Sequence, residues 1–75
     1  MLPVQCKMAR VALGLGVREL ASIAKVAPAT ISRLEAGEDL KERTVIDIRN
    51  TLEAAGIIFI DSNGNGPGVR LRDPA

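Results

Sequence analysis

The chain has 75 residues, with ten Lys or Arg against nine Asp or Glu and a net charge of +1. That length allows one domain, near the lower limit at which a core holds without a metal or disulfides. No histidine, a single cysteine and one aromatic, Phe59, leave out zinc sites, the usual proton-transfer catalysts and the rings that stack on single-stranded bases.

An enzyme is therefore not expected, and neither is a metal, a cofactor or a small-molecule ligand. Cys6 has no partner for an internal disulfide and reads as a core thiol in a reducing compartment. No apolar run approaches the ~20 residues of a membrane span, and the N-terminal stretch lacks a signal-peptide pattern. The expected location is the cytoplasm. Because the net charge is so small, any nucleic-acid binding must come from where the charges sit.

Residues 3–13 predict a first helix, with Pro3 tolerated in its opening turn. Leu2, Cys6, Ala9 and Leu13 recur at spacings of three and four along one face, while Val4, Met8 and Val11 make a second. "GLG" (14–16) ends that helix, and "VRELASIA" (17–24) predicts another. After the connector "KVA", Pro28 suits the first position of a third helix, which Gly37 closes. "EDLKER" is a charged loop. Thr44 followed by Asp47 resembles a capping box for a fourth helix, whose buried stripe would be Val45, Ile48, Leu52 and Ala55.

The period then changes. "IIFID" (57–61) is β-branched and aromatic, "VRLR" (69–72) alternates apolar with basic, and "SNGNGPG" between them is turn chemistry. A phosphate-binding glycine loop would open a helix, whereas this one precedes a strand. A hairpin is expected, with Val69 and Leu71 paired to Ile57 and Phe59 on an inward face against Val4, Met8 and Val11. Ile58 and Ile60 then point outward, and an apolar outer face seeks a partner, here a second copy of the chain.

Two short helices joined by about three residues, the second ending at glycine, form the helix-turn-helix pattern. Ala21 is small where the two helices must cross closely. Leu20, Ala24, Val26, Ile31 and Leu34 supply the wedge between them and the other helices. An ordinary helical hairpin does not need Ala21, Ile31 and Gly37 in this register.

At "ELASIAKVAPATISRLEAG", and through "MARVALGLGVREL" before it, the chain resembles the Xre-like regulators of the phage repressor and Cro type. The resemblance covers roughly residues 2–56. It implies a mainly α, four- to five-helix, lambda-repressor-like domain, whose third helix enters the major groove of double-stranded DNA. Pro28, Ala29, Ser32 and Arg33 would then meet base edges. Ala29 and Pro28 suit a thymine methyl, and Arg33 suits guanine O6 and N7. Thr30, the amides near Val17, Arg18, Lys41 and Arg43 would meet the phosphate backbone. The family also pairs an arginine of the first helix with a glutamate late in the third, here Arg10 and Glu35.

Three positions depart from the family pattern. Val17 replaces a usual glutamine, Lys25 stands at the turn glycine, and Ala27 replaces a Ser or Thr cap. A left-handed Lys25 would carry about 1 kcal/mol of strain, and the missing cap costs roughly another 1 kcal/mol.

The sequence thus predicts a helix-turn-helix domain over 1–56 and a dimerising β-hairpin over 57–75. The function it points to is a homodimeric, sequence-specific transcriptional regulator, a repressor by class. The rival is an antitoxin-like or adaptor protein-interaction module that keeps the fold without reading DNA.

Overall fold

The computed structural model describes residues 1–73. It is mainly α, with four helices followed by one antiparallel hairpin: α1 (Pro3–Ala12), α2 (Val17–Ala24), α3 (Pro28–Glu35), α4 (Glu42–Ala54), β1 (Ile57–Ile60) and β2 (Gly68–Leu71). No helix among the described residues is long and apolar enough to cross a membrane.

The core is assembled from all four helices and the first strand. Cys6 and Ala9 of α1, Leu20 and Ala21 of α2, Ile31 and Leu34 of α3, Ile48 and Leu52 of α4, and Ile57 of β1 form one buried cluster. In α1, α3 and α4 these positions lie three or four residues apart, so the helical period selects the inward face, while in α2 the adjacent Leu20 and Ala21 share it. Ala24, Val26, Leu13, Val45, Phe59 and Val69 pack against that cluster from its edges.

The first three helices end in the same way. Gly14, Lys25 and Gly37 all have positive φ, 71°, 59° and 88°. In each case the next amide folds back onto the helix: Leu15 to Arg10 O at 2.9 Å, Val26 to Ala21 O at 3.0 Å, and Glu38 to Arg33 O at 3.0 Å. This closure satisfies carbonyls that the helix end would otherwise leave bare. Lys25 is the one that pays a side-chain penalty for the left-handed conformation, about 1–2 kcal/mol.

The fourth helix begins earlier than its sequence suggests. Glu42 opens it and Lys41 is its cap residue, so Thr44 lies inside the first turn and caps nothing. The negative charge of Glu42 at a helix N-terminus explains the earlier start. Ala55 also falls outside the buried stripe: it caps the helix and is exposed. Leu2, expected on the buried face of α1, precedes that helix and is exposed as well.

The hairpin pairs Ile57 with Leu71, Ile58 with Arg70, Phe59 with Val69 and Ile60 with Gly68. This is the expected register, with Ile57, Phe59 and Val69 facing the core. Leu71, at the strand end, is 36% exposed. β1 lies along α4 and β2 along α1, and the Arg49 guanidinium sits 5.0 Å from the Phe59 ring centroid.

The hairpin does not cover Val4, Met8 and Val11, as the sequence suggested it would. Gln5 directs it to another side of α1. Its buried Nε2 donates to Ile60 O at 3.0 Å and Gly68 O at 3.1 Å, while Oε1 accepts from the Leu2 amide at 2.8 Å. Those two carbonyls belong to the strand pair next to the loop, and one glutamine holds both. Among the described residues no buried side-chain polar atom is left without a partner.

Gln5→Leu keeps the size of the side chain and removes both donors. It should lower stability by about 1–3 kcal/mol, the cost of stranding buried acceptors. Thermal melts report the loss, and amide exchange at Phe59 and Val69 should quicken well beyond that at Leu20. Unchanged exchange in the hairpin would show that apolar packing alone holds it.

Candidate nucleic-acid interface

α3 is two-sided. Ile31 and Leu34 are buried, while Ala27, Pro28, Ala29, Ser32 and Arg33 are exposed and Thr30 is half-buried. The exposed side is built from small residues with one long cation among them. Backbone on that side can therefore approach a surface closely, and Arg33 extends beyond it. Pro28 occupies the first helical position, where its missing N–H leaves nothing unsatisfied.

α2 and α3 pack closely against each other. Ala21, 1% exposed, and the fully buried Ile31 and Leu20 sit in the shared core. The three-residue turn between the helices is set by the left-handed Lys25 and by Val26, which packs on the core.

The far end of α3 is fastened to α1 by a bidentate ion pair. Arg10 Nε donates to Glu35 Oε2 at 2.9 Å and Nη2 to Oε1 at 3.0 Å, and Nη1 donates to Leu15 O at 3.1 Å. The two side chains are only 13% and 10% exposed. The hydrogen bonds to Glu35 raise the Arg10 pKa. Cys6 Sγ lies 3.6 Å from Glu35 Oε2. Burial, followed by the charge of Glu35, pushes its thiol up to about 12. The thiol is therefore protonated at neutral pH, a weak donor to the carboxylate and a poor nucleophile.

The flanking cations differ in their surroundings. Arg18, Arg33, Lys41 and Arg43 are all exposed, and the ion pairs among the described residues, Arg10–Glu35, Arg49–Glu53 and Arg72–Asp73, include none of them. Arg43 nevertheless shares a shallow groove with Glu42, Ile46 and Asp47, whose carboxylates offset its field. At the opening of α2, Glu19 Oε1 accepts from the Gly16 amide at 2.9 Å. Glu19 thus takes up one amide of the anion site expected near Val17, and its charge opposes a second anion there. Val17 itself is half-buried and Arg18 exposed.

On the hairpin, Ile58 is 40% exposed. Ile60 faces the same side but is half-buried. The outward apolar patch is thus smaller than the sequence suggests, and Arg70 stands across from Ile58. Among the described residues no group of His, Cys, Asp or Glu is arranged to hold a metal ion.

Gln5, the polar anchor of the hairpin, escapes sequence reasoning. Its one outward signal is the return half of a capping box three residues after Leu2. No family model matches the chain, and no curated protein matches it either.

The ion pair has a distinctive energetic signature. Arg10→Leu or Glu35→Leu alone should cost about 3–5 kcal/mol, because each strands a buried charge, whereas the double variant should cost much less than the sum. Denaturant titrations of the three variants measure this coupling. Small additive losses would show that both charges are effectively solvated.

Proposed function

We propose that the chain is a transcriptional regulator, a repressor by class, that binds double-stranded DNA in a sequence-specific way through a helix-turn-helix formed by α2 and α3. The observation that carries this reading is the outer side of α3: small residues at the helix start, then an exposed Arg33 in no ion pair among the described residues. In the docking mode of the Xre-like regulators the N-terminal half of this helix enters the major groove. Pro28, Ala29 and Ser32 meet base edges, and Arg33 bonds guanine O6 and N7 as a two-pronged donor.

Thr30, Arg18, the free amides near Val17, Lys41 and Arg43 meet phosphates and set the register without carrying sequence information. The net charge of +1 and the acidic neighbours of Arg43 make the affinity modest and strongly salt-dependent.

Two copies bound together would double the base contacts available to so small a domain. A homodimer paired through the outer hairpin face, Ile58 and Ile60, would present two α3 helices to half-sites about 34 Å apart. One exposed and one half-buried isoleucine fall short of the ~800 Å² per partner of a stable interface, so binding to a palindrome must supply part of the association energy. The rival reading, a protein-interaction module, draws on the uncovered apolar stripe of α1. It would leave Arg33 without a task.

Once an operator has been selected from a random duplex pool, two substitutions separate the roles of the cations. Arg33→Ala should cost ~1–3 kcal/mol and relax preference at one base pair. Arg43→Ala should weaken binding to all sequences alike and flatten the salt slope. A selected motif left unchanged by Arg33→Ala removes that residue from base reading.

The hairpin patch is tested by Ile58→Lys combined with Ile60→Lys. In sedimentation runs on the operator this variant should load one protomer per half-site without cooperativity. Cooperative loading equal to that of the native chain would exclude the hairpin as the dimer contact.

A further inference from the structure

The uncovered stripe of α1 is an exposed apolar feature that the DNA reading leaves unused. Val4, Met8 and Val11 follow one another at helical spacing and, with Lys7 and Ala12, line an open groove of about 450 Å³. Val4 is 51% and Val11 61% exposed. The opposite side of the same helix is already fully packed through Cys6 and Ala9, and Gln5 holds the hairpin away from the stripe. Nothing among the described residues covers it. A stripe of this period and length matches the seat of a partner helix.

Charge decides which partner. α1 contains no Asp or Glu, and its two cations are Lys7 and Arg10. Arg10 is committed to Glu35, so Lys7, exposed on the groove wall, is the charge an incoming surface meets. A second copy laid α1 against α1 across a two-fold axis would set Lys7 beside its own mate, with no carboxylate of α1 to offset it. Like charges held that close are unfavourable, whereas a carboxylate there is attracted.

We propose that the α1 groove is a docking site for an amphipathic helix of a partner protein. That helix would carry apolar residues at i, i+4 and i+7 against Val4, Met8 and Val11, and an Asp or Glu against Lys7. The site uses the outer face of α1 and none of the α3 side chains assigned to DNA, so the two readings stand or fall separately.

The test is an NMR titration of the isotope-labelled full chain with a designed helical peptide of about 14 residues, long enough for four turns. The peptide carries leucines at that spacing and flanking glutamates, and a matched peptide carries lysines instead. The acidic peptide should give saturable amide shifts centred on Lys7, Met8 and Val11, and the basic one should bind severalfold more weakly. Val11→Lys, a change at an exposed position, should abolish the shifts while leaving the melting temperature unchanged. Lys7→Glu should reverse the peptide preference. Equal binding of both peptides, or shifts that do not centre on α1, would overturn the proposal. So would α1 shifts that depend on protein concentration before any peptide is added, since they would identify the occupant as a second copy.

Discussion

The contact between Arg10 and Glu35 is the constraint on which the arrangement of the helices depends. It joins the last turn of α1 to the last residue of α3, and through Leu15 O it also ties down the connector to α2. The end of α1, the connector that follows it and the end of α3 therefore meet at one guanidinium. As a source of stability such a pair is weak, because removing two charges from water offsets most of their attraction. Its value is geometric. The planar fork of arginine accepts a carboxylate in one orientation, so α3 cannot slide or rotate against α1 without breaking two bonds.

That fixity matters because α3 is short. Eight residues bury two side chains deeply, and apolar packing alone would allow several close arrangements. With the C-terminal end pinned by Glu35 and the N-terminal end set by the Lys25 turn, the outward row from Pro28 to Arg33 is held as a rigid surface. A base-reading helix needs this kind of rigidity, since a displacement of an ångström breaks a two-pronged hydrogen bond. α1 is thus more than a core helix. Gln5, one turn and a half before Arg10, anchors the hairpin, and Arg10 anchors α3, with Cys6 and Ala9 packed between these two polar contacts.

The helices were legible in the sequence because their signals are local. Helical spacing of apolar residues selected the right inner faces of α2, α3 and most of α4, and Gly14 and Gly37 stand at chain reversals that favour residues without a Cβ. Hairpin register followed from the alternation in "VRLR". The misses are non-local. Nothing local marks Gln5 for burial, because the carbonyls it bonds lie 55 and 63 residues away. The same distance hid the side of α1 on which the hairpin settles, and hence the bare stripe of Val4, Met8 and Val11. At α4 a plausible Thr44 cap lost to an earlier start at Glu42. At α2 the sequence led to the expectation of an anion site but not to Glu19 folding back onto the Gly16 amide. For the cations the sequence supplied candidates only, because exposure and carboxylate neighbours depend on tertiary placement.

The central claim is that the outer side of α3 meets DNA, and an amide perturbation map with a mixed-sequence duplex at low salt tests it most directly. The account predicts that the largest shifts fall on Ala29, Thr30, Ser32 and Arg33. Weaker shifts should appear at Arg18, Lys41 and Arg43, with the α1 stripe and the hairpin silent, and all of them should fade as salt is raised. Shifts centred on another surface, or none at any salt concentration, would contradict it.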